Sequence, residues 1–127
     1  MRMNQITLTV RDYASAVEFY TRLGLLQIVA TDHGYARFET ETGETLSIST
    51  DPDAAPSKTT VYFEVSDVAQ KVTDLRAKGL DVDAPPDRMR WLWTEAHLHD
   101  PSGNRICIFY AGTNRRFPPW RLDGRRQ

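Results

Sequence analysis

The chain has 127 residues, of which 40% are hydrophobic and 26% charged, and this ordinary globular composition argues against extended disorder. Its formal net charge of -1 excludes the overall basic field typical of nucleic-acid-binding proteins, and its single cysteine excludes an intrachain disulfide. A membrane-spanning helix needs a run of about eighteen apolar residues, and the sequence has none. These features predict one cytoplasmic domain without nucleic-acid or membrane partners.

The first half of the chain predicts a strand, a helix and three further strands. Apolar residues alternate at Ile6, Leu8 and Val10, which favours a strand. Asp12 can then accept hydrogen bonds from the free backbone amides of a starting helix, and Gly24 is placed to end that helix. The extended segments that follow are predicted near 25–31, 34–40 and 44–50.

The second half repeats this unit. Residues 6–25 align on residues 61–80 without a gap, and six of the twenty pairs are identical. The identities include the helix boundaries, because Asp67 and Gly79 stand where Asp12 and Gly24 stand in the first half. Extended segments are predicted near 80–84, 91–99 and 104–110. The order β-α-β-β-β, used twice, predicts an α+β fold.

We interpret residues 1–127 as a single domain made of two such units and a tail. Its predicted parts are the first unit at 4–50, a linker at 51–58, the second unit at 59–110 and a basic, aromatic tail at 111–127.

The repeat and its motifs resemble one protein family. The motifs are Val10-x-Asp12, Phe19-Tyr20, Leu23-Gly24, Val65-x-Asp67 and Asp100-Pro101-x-Gly103-Asn104. The combination resembles the glyoxalase, bleomycin-resistance and ring-cleaving dioxygenase superfamily, also called vicinal oxygen chelate proteins, over residues 4–110. The resemblance implies a curled, cup-shaped mixed sheet with helices on its outer face. It also implies a homodimer, with the cup made within one chain or between two.

Enzymes of this family typically hold one divalent metal at four strand positions. The resemblance carries these positions onto Gln5, Ser47, Thr60 and Cys107, where a metal enzyme would have His or Gln, Glu, His and Glu. Neutral hydroxyls are weak ligands, and one thiol without a nearby second soft ligand binds poorly. We therefore expect no metal at these positions and no other cofactor. A divalent metal bound by other residues is kept as an alternative.

Alternation along the predicted seventh strand identifies the residues that face the cup. Trp91, Trp93, Glu95, His97 and His99 share one face of that strand. An aromatic face with a few ionisable groups suits a small molecule with a flat ring and a polar or cationic handle. The predicted ligand-binding residues are Tyr62, Glu64, Trp91, Trp93, Glu95, His97 and Arg105.

These residues also have simpler interpretations. The two tryptophans can fill a core or a dimer interface. Glu64 and His97 are the candidates for a catalytic acid–base pair, or for a merely hydrogen-bonded one. A displaced metal site of Glu64, Glu95 and His97 is a further alternative. Cys107 is interpreted as a small buried hydrophobe.

The tail differs in charge from the rest of the chain. Residues 115–127 contain five arginines and one aspartate, whereas residues 1–114 contain eleven basic and sixteen acidic residues, a formal charge of -5. We expect the apolar segment 117–120 to dock on the body or on a partner subunit, with Arg115, Arg116 and Arg121 meeting the acidic remainder of the chain.

The leading hypothesis for function is binding of a small, partly aromatic molecule without the family metal. The alternative is an enzyme of the superfamily, of the lyase, isomerase or dioxygenase type, that uses non-standard metal ligands or a Glu/His acid–base pair. A purely structural or partner-binding domain is the third possibility.

Overall fold

The first half of the chain folds into one four-stranded mixed sheet and a helix. In this computed structural model, which describes residues 1–122, the strand order of this sheet is β1-β4-β3-β2. β1 runs parallel to β4, while β3 pairs with β4 and β2 in antiparallel fashion. The elements are β1 (Gln5–Val10), α1 (Tyr13–Leu23), β2 (Leu26–Ala30), β3 (Tyr35–Glu39) and β4 (Thr45–Thr50).

The second half repeats the same topology in a second sheet of order β5-β8-β7-β6. β5 is parallel to β8, and β7 is antiparallel to both β8 and β6. The predicted α+β fold of two βαβββ units is therefore confirmed. The elements are β5 (Thr60–Glu64), α2 (Val68–Ala77), β6 (Asp87–Arg88), β7 (Thr94–His99), β8 (Arg105–Tyr110) and a short 3-10 helix (Gly112–Asn114).

Both predicted helix starts and the end of α1 are those of the structure, whereas α2 ends at Ala77 with Lys78 as its C-cap, just before the predicted Gly79. The Asp12 carboxylate accepts a hydrogen bond from the Ser15 backbone amide at 2.9 Å, and Asp67 does the same for Gln70 at 3.0 Å. α1 ends at Gly24, whose φ of 117° is a left-handed conformation that favours glycine.

Two predicted strands of the second half are wrong in extent. The segment 80–84 is irregular, and the strand that replaces it is the two-residue β6, since Pro85 and Pro86 lack the amide hydrogens that a longer strand would need. β7 begins at Thr94 rather than 91. A turn precedes it, in which the Leu92 amide donates to the Met89 carbonyl at 2.9 Å and Leu92 has a φ of 71°.

Each helix packs against one face of its own sheet. α1 packs on β2, β3 and β4, and α2 packs on β7 and β8. One buried apolar cluster contains residues from both halves, among them Val10, Tyr20, Ile48, Leu75 and Ile106. Within residues 1–122, no helix has both the length and the apolar character needed to cross a bilayer.

A buried polar network joins the two halves at the turn between β7 and β8. The Tyr20 hydroxyl of α1 donates to Asp100 Oδ2 at 2.7 Å. Asn104 Nδ2 donates to the Thr9 carbonyl at 2.9 Å, and the Arg11 amide donates to Ser102 Oγ at 2.8 Å. The Asp-Pro-x-Gly-Asn motif therefore holds the first unit to the second.

Candidate functional site

The face of the second sheet opposite α2 carries alternate residues of β5, β7 and β8. Across these strands, Tyr62 pairs with Cys107 and Cys107 pairs with His97. On the next row, Glu95 pairs with Phe109. The residues between them in sequence belong to the apolar core: Ala96, Leu98, Ile106 and Ile108. Alternation therefore brings the aromatic and ionisable side chains onto one surface, which we call the second-sheet face.

Glu95 is a buried carboxylate of this face, with 6% of its surface exposed. The Trp91 indole donates from Nε1 to Glu95 Oε2 at 2.6 Å, and His97 Nε2 lies 3.0 Å from Oε1. Cys107 Sγ lies 3.9 Å from the same Oε1. Among residues 1–122, no lysine or arginine forms an ion pair with this carboxylate. Glu95 therefore holds three side chains around one buried negative charge.

Cys107 is fully buried beside that charge. Burial raises the pKa of the thiol to about 12, and the Glu95 carboxylate adds to the rise by its negative charge and by accepting a hydrogen bond. The thiol is therefore protonated at neutral pH and does not act as a free nucleophile.

An aromatic cluster lies next to Glu95 on the same face. The rings of Trp93 and Phe109 stack with centroids 4.8 Å apart and planes 25° apart. Tyr62 meets both edge-on, at 6.0 Å from Trp93 and 5.6 Å from Phe109, and is itself half exposed. Sequence reasoning missed Phe109, although counting two residues on from Cys107 along β8 would have found it.

The structure does not bring Glu64 and His97 together. β8 lies between β5, which carries Glu64, and β7, which carries His97. Glu64 Oε2 instead accepts hydrogen bonds from the backbone amides of Ala111 at 2.8 Å and Gly112 at 2.9 Å, and so binds the start of the 3-10 helix. The carboxylate that contacts His97 is Glu95.

The two remaining residues of the predicted face, Arg105 and His99, lie where β8 begins and β7 ends. Arg105 begins β8 as an exposed residue, in register with Thr60 on one side and His99 on the other. His99 Nδ1 lies 3.0 Å from an Asp83 carboxylate oxygen. Neither residue belongs to the group around Glu95.

A cleft of about 650 Å³ borders the second-sheet face. It lies between the start of β1, the turn from β3 to β4, and β5. Gln5, Thr60, Tyr62 and Glu64 are among its lining residues, so it reaches the aromatic cluster through Tyr62. Its volume falls in the range of about 300–1,000 Å³ that small-molecule sites occupy.

The four family metal positions do not fit a divalent metal. Gln5 Nε2 donates to Ser47 Oγ at 3.0 Å, and the Gln5 carbonyl oxygen accepts from the Thr45 hydroxyl. Thr60 offers only a neutral hydroxyl, and Cys107 is the one thiol of the set. None of the four is a carboxylate or an imidazole, so the set lacks the ligands that the family metal site uses, and one thiol without a second strong ligand among the four does not hold a divalent metal.

The first sheet has a polar network that sequence reasoning missed. The Tyr35 hydroxyl lies 2.7 Å from Ser47 Oγ, and Arg37 Nε donates to the same hydroxyl at 3.0 Å. These hydrogen bonds, with the Arg37 charge, lower the pKa of the Tyr35 phenol. Alternation along β3 places both residues on one face, which was the available signal.

Comparison with known proteins identifies the family. The profile of the Glyoxalase/Bleomycin resistance protein/Dioxygenase superfamily matches residues 2–108. The chain therefore belongs to this superfamily.

Individual relatives agree with this assignment. The chain is 32% identical over 125 residues to the uncharacterized protein YraH of Bacillus subtilis (strain 168), covering 86% of this chain and 98% of that protein. A glyoxalase/bleomycin resistance protein/dioxygenase from Nocardioides superposes with a TM-score of 0.77 at 24% identity, over 96% of this chain and 89% of the other. A bleomycin-binding protein complexed with bleomycin gives a TM-score of 0.72 at 21% identity, over 87% and 98%. These structural similarities concern the fold alone.

Proposed function

We propose that the protein binds a small, partly aromatic molecule on the second-sheet face and in the adjoining cleft, without a metal at the four family positions. The observation that most supports the proposal is the cluster of Tyr62, Trp93 and Phe109, because its half-exposed member, Tyr62, also lines a cleft of ligand size. We further propose that the protein works in the cytoplasm.

The polar groups beside the cluster define the kind of ligand. Glu95 and His97 offer a carboxylate and an imidazole next to the stacked rings, and Trp91 fixes the carboxylate from the other side. A flat ring would pack on Tyr62 and Trp93, while a hydrogen-bond donor or a positively charged nitrogen on the same molecule would face His97 and Glu95. Arg105 and Glu64 would lie at the edges of the bound molecule.

We propose that the working form is a homodimer. Phe117 and Trp120 are 56% and 55% exposed, and Leu122 is 88% exposed. Three large apolar side chains so close in sequence form a surface that a second copy of the chain would remove from water.

The proposal is tested by tryptophan fluorescence in the presence of EDTA. The Trp120→Phe variant keeps Trp91 and Trp93 as its only reporters, so a panel of small aromatic compounds is titrated into it. We expect saturable quenching by at least one aromatic compound with a polar or cationic group. The matched Trp93→Phe variant on the same background is expected to bind that compound more weakly. Absence of saturable quenching across the panel, or quenching that EDTA abolishes, contradicts the proposal.

A second candidate function is acid–base catalysis on a small carbonyl compound. The 3.0 Å contact between Glu95 and His97 favours it, because a carboxylate that orients an imidazole is a common arrangement in general-base catalysis. This function would be supported over binding alone if a compound that quenches the tryptophans is also turned over, and if the turnover is lost in His97→Ala.

A further inference from the structure

We propose that Glu95, His97 and Cys107 form a binding site for one divalent transition-metal ion of intermediate softness, with Zn²⁺ or Co²⁺ as the fitting ions. The site goes beyond the proposed function and does not depend on it. It shares only Cys107 with the four family metal positions, and its other two ligands come from β7.

The three donor atoms are already gathered. Glu95 Oε1 lies 3.0 Å from His97 Nε2 and 3.9 Å from Cys107 Sγ, and all three donors lie within 4.8 Å of one another. Zinc binds nitrogen and oxygen at about 2.0–2.2 Å and sulfur at about 2.3 Å, so donors around one tetrahedral ion are roughly 3–4 Å apart. Small side-chain rotations are enough to place one ion among them.

The backbone holds these ligands on two paired strands. Glu95 and His97 are two residues apart on β7, and Cys107 is the cross-strand partner of His97 on β8. Trp91 binds the second oxygen of Glu95, which leaves Oε1 facing the other two donors. A hydrogen bond to the non-ligating oxygen is how proteins commonly orient a metal-binding carboxylate.

The charges of the site also favour the binding of a cation. Glu95 is buried, and within residues 1–122 it lacks a lysine or arginine partner. One divalent ion with the Glu95 carboxylate, neutral His97 and the Cys107 thiolate gives a group of zero net charge, which is the form that burial favours. On binding, Cys107 releases its proton to solvent and no electron is transferred.

Three protein ligands leave a fourth position of a tetrahedral ion open. Sites with three protein ligands and one open position are typical of zinc ions that bind water or another small molecule. His97 is half exposed on the second-sheet face, so the open position would be reached from that face.

The test is a cobalt titration of protein purified without a metal-affinity tag and stripped with EDTA. Cobalt is the probe because a thiolate ligand gives a near-ultraviolet charge-transfer band that carboxylate and imidazole do not give. We expect saturation at one cobalt per chain with this band, and competition by Zn²⁺. Uptake without the band, or no saturable uptake, overturns the proposal.

Variants then assign the ligands. Cys107→Ser is expected to lose the charge-transfer band, and His97→Ala to lose tight uptake. Trp91→Phe is expected to weaken affinity about 10- to 100-fold, as removal of an orienting hydrogen bond does. The matched control is His99→Ala, which removes the next histidine of β7 and is expected to leave the titration unchanged.

Folding of each variant is checked by circular dichroism. If Cys107→Ser does not fold, His97→Ala decides, because its half-exposed side chain is removed without opening the core. Wild-type affinity in His97→Ala overturns the proposal. The ligand panel is measured in EDTA, so its failure leaves the cobalt result valid, and failure of the cobalt titration leaves the ligand result valid.

Discussion

The ionisable side chains of the second-sheet face differ in how deeply they are buried. Cys107 and Glu95 are both buried and only 3.9 Å apart, and their proximity stabilises the neutral thiol. His97, on the same strand as Glu95, remains half exposed. The face therefore presents an imidazole to solvent above a buried carboxylate and a buried thiol.

The raised pKa of Cys107 predicts how folding stability depends on alkaline pH. In the unfolded chain the thiol ionises near its ordinary value of 9.0, whereas in the folded chain it keeps its proton up to about 12. Its contribution to stability is therefore fully present below pH 9 and is lost as the pH rises from 9 to 12. Denaturant unfolding of wild type and Cys107→Ala across this range measures the effect.

We expect Cys107→Ala to be less stable than wild type at pH 8 because it leaves a cavity, and the gap to narrow as the pH rises. Tyr20, whose pKa is raised by burial and by Asp100, is present in both proteins and cancels from the comparison. A gap that stays constant up to pH 11 would contradict the assignment.

The sequence could predict which face of a strand a residue lies on, but it could not predict which residues of different strands are in contact. Glu95, His97 and Tyr62 could be assigned to one face because alternation along a strand depends only on the local sequence, whereas Trp91 and Trp93 precede β7. The Glu64–His97 pair could not be judged in this way. Which strand lies between two others is decided by sheet order, and here β8, the last strand in sequence, inserts between β5 and β7.

At the scale of elements, the two halves depend on the turn between β7 and β8. Asp100 is buried and its carboxylate accepts hydrogen bonds from the Ser102 amide, the Asn104 amide and side chain, and the Tyr20 hydroxyl. Tyr20 belongs to α1, so this bond ties the helix of the first unit to the turn of the second. Loss of the bond would leave a buried carboxylate with one partner fewer.

Tyr20→Phe is therefore expected to lower the free energy of unfolding by about 1.5–3 kcal/mol, the usual value of a hydrogen bond to a charged group. Chemical denaturation monitored by circular dichroism measures it. Tyr13→Phe is the matched control, since the Tyr13 hydroxyl accepts only a 3.4 Å bond from Gln27. Equal destabilisation by the two variants would show that the bond to Asp100 contributes little.

The elements that the sequence predicted well are those with a local sequence pattern, such as a capping residue or an alternation of apolar and polar residues. α1 and α2 begin at aspartate caps, and β1 and β5 alternate between apolar and polar residues. The region 80–93 was predicted poorly. Its turn requires a positive φ at Leu92, a conformation that the residue type does not indicate and that tertiary contacts must impose.

At the scale of the whole molecule, the C-terminal tail has two parts. Its first part is held by the second sheet, since Glu64 binds the amides of Ala111 and Gly112, and Trp93 Nε1 donates to the Asn114 carbonyl at 3.5 Å. Its second part exposes Phe117 and Trp120, with the Arg116 and Arg121 guanidinium groups over the Phe117 ring. Residues 123–127, which complete the predicted basic tail, lie outside the described residues.

Deletion of residues 117–127 is predicted to convert the proposed homodimer to a monomer while leaving folding intact, because the contacts of Ala111, Gly112 and Asn114 remain. Sedimentation equilibrium measures the mass, and circular dichroism checks the fold. The control deletes 123–127 alone and is expected to remain dimeric. A dimer that survives the longer deletion would show that the exposed apolar side chains are not its interface.

The proposed function requires a small aromatic molecule to bind on the second-sheet face. Amide chemical-shift mapping tests it most directly, using ¹⁵N-labelled protein in EDTA and the strongest compound found by fluorescence. We expect saturable shifts concentrated at Tyr62, at 91–97 and at 107–109. Shifts confined to the first sheet, or spread evenly over both sheets, would contradict it.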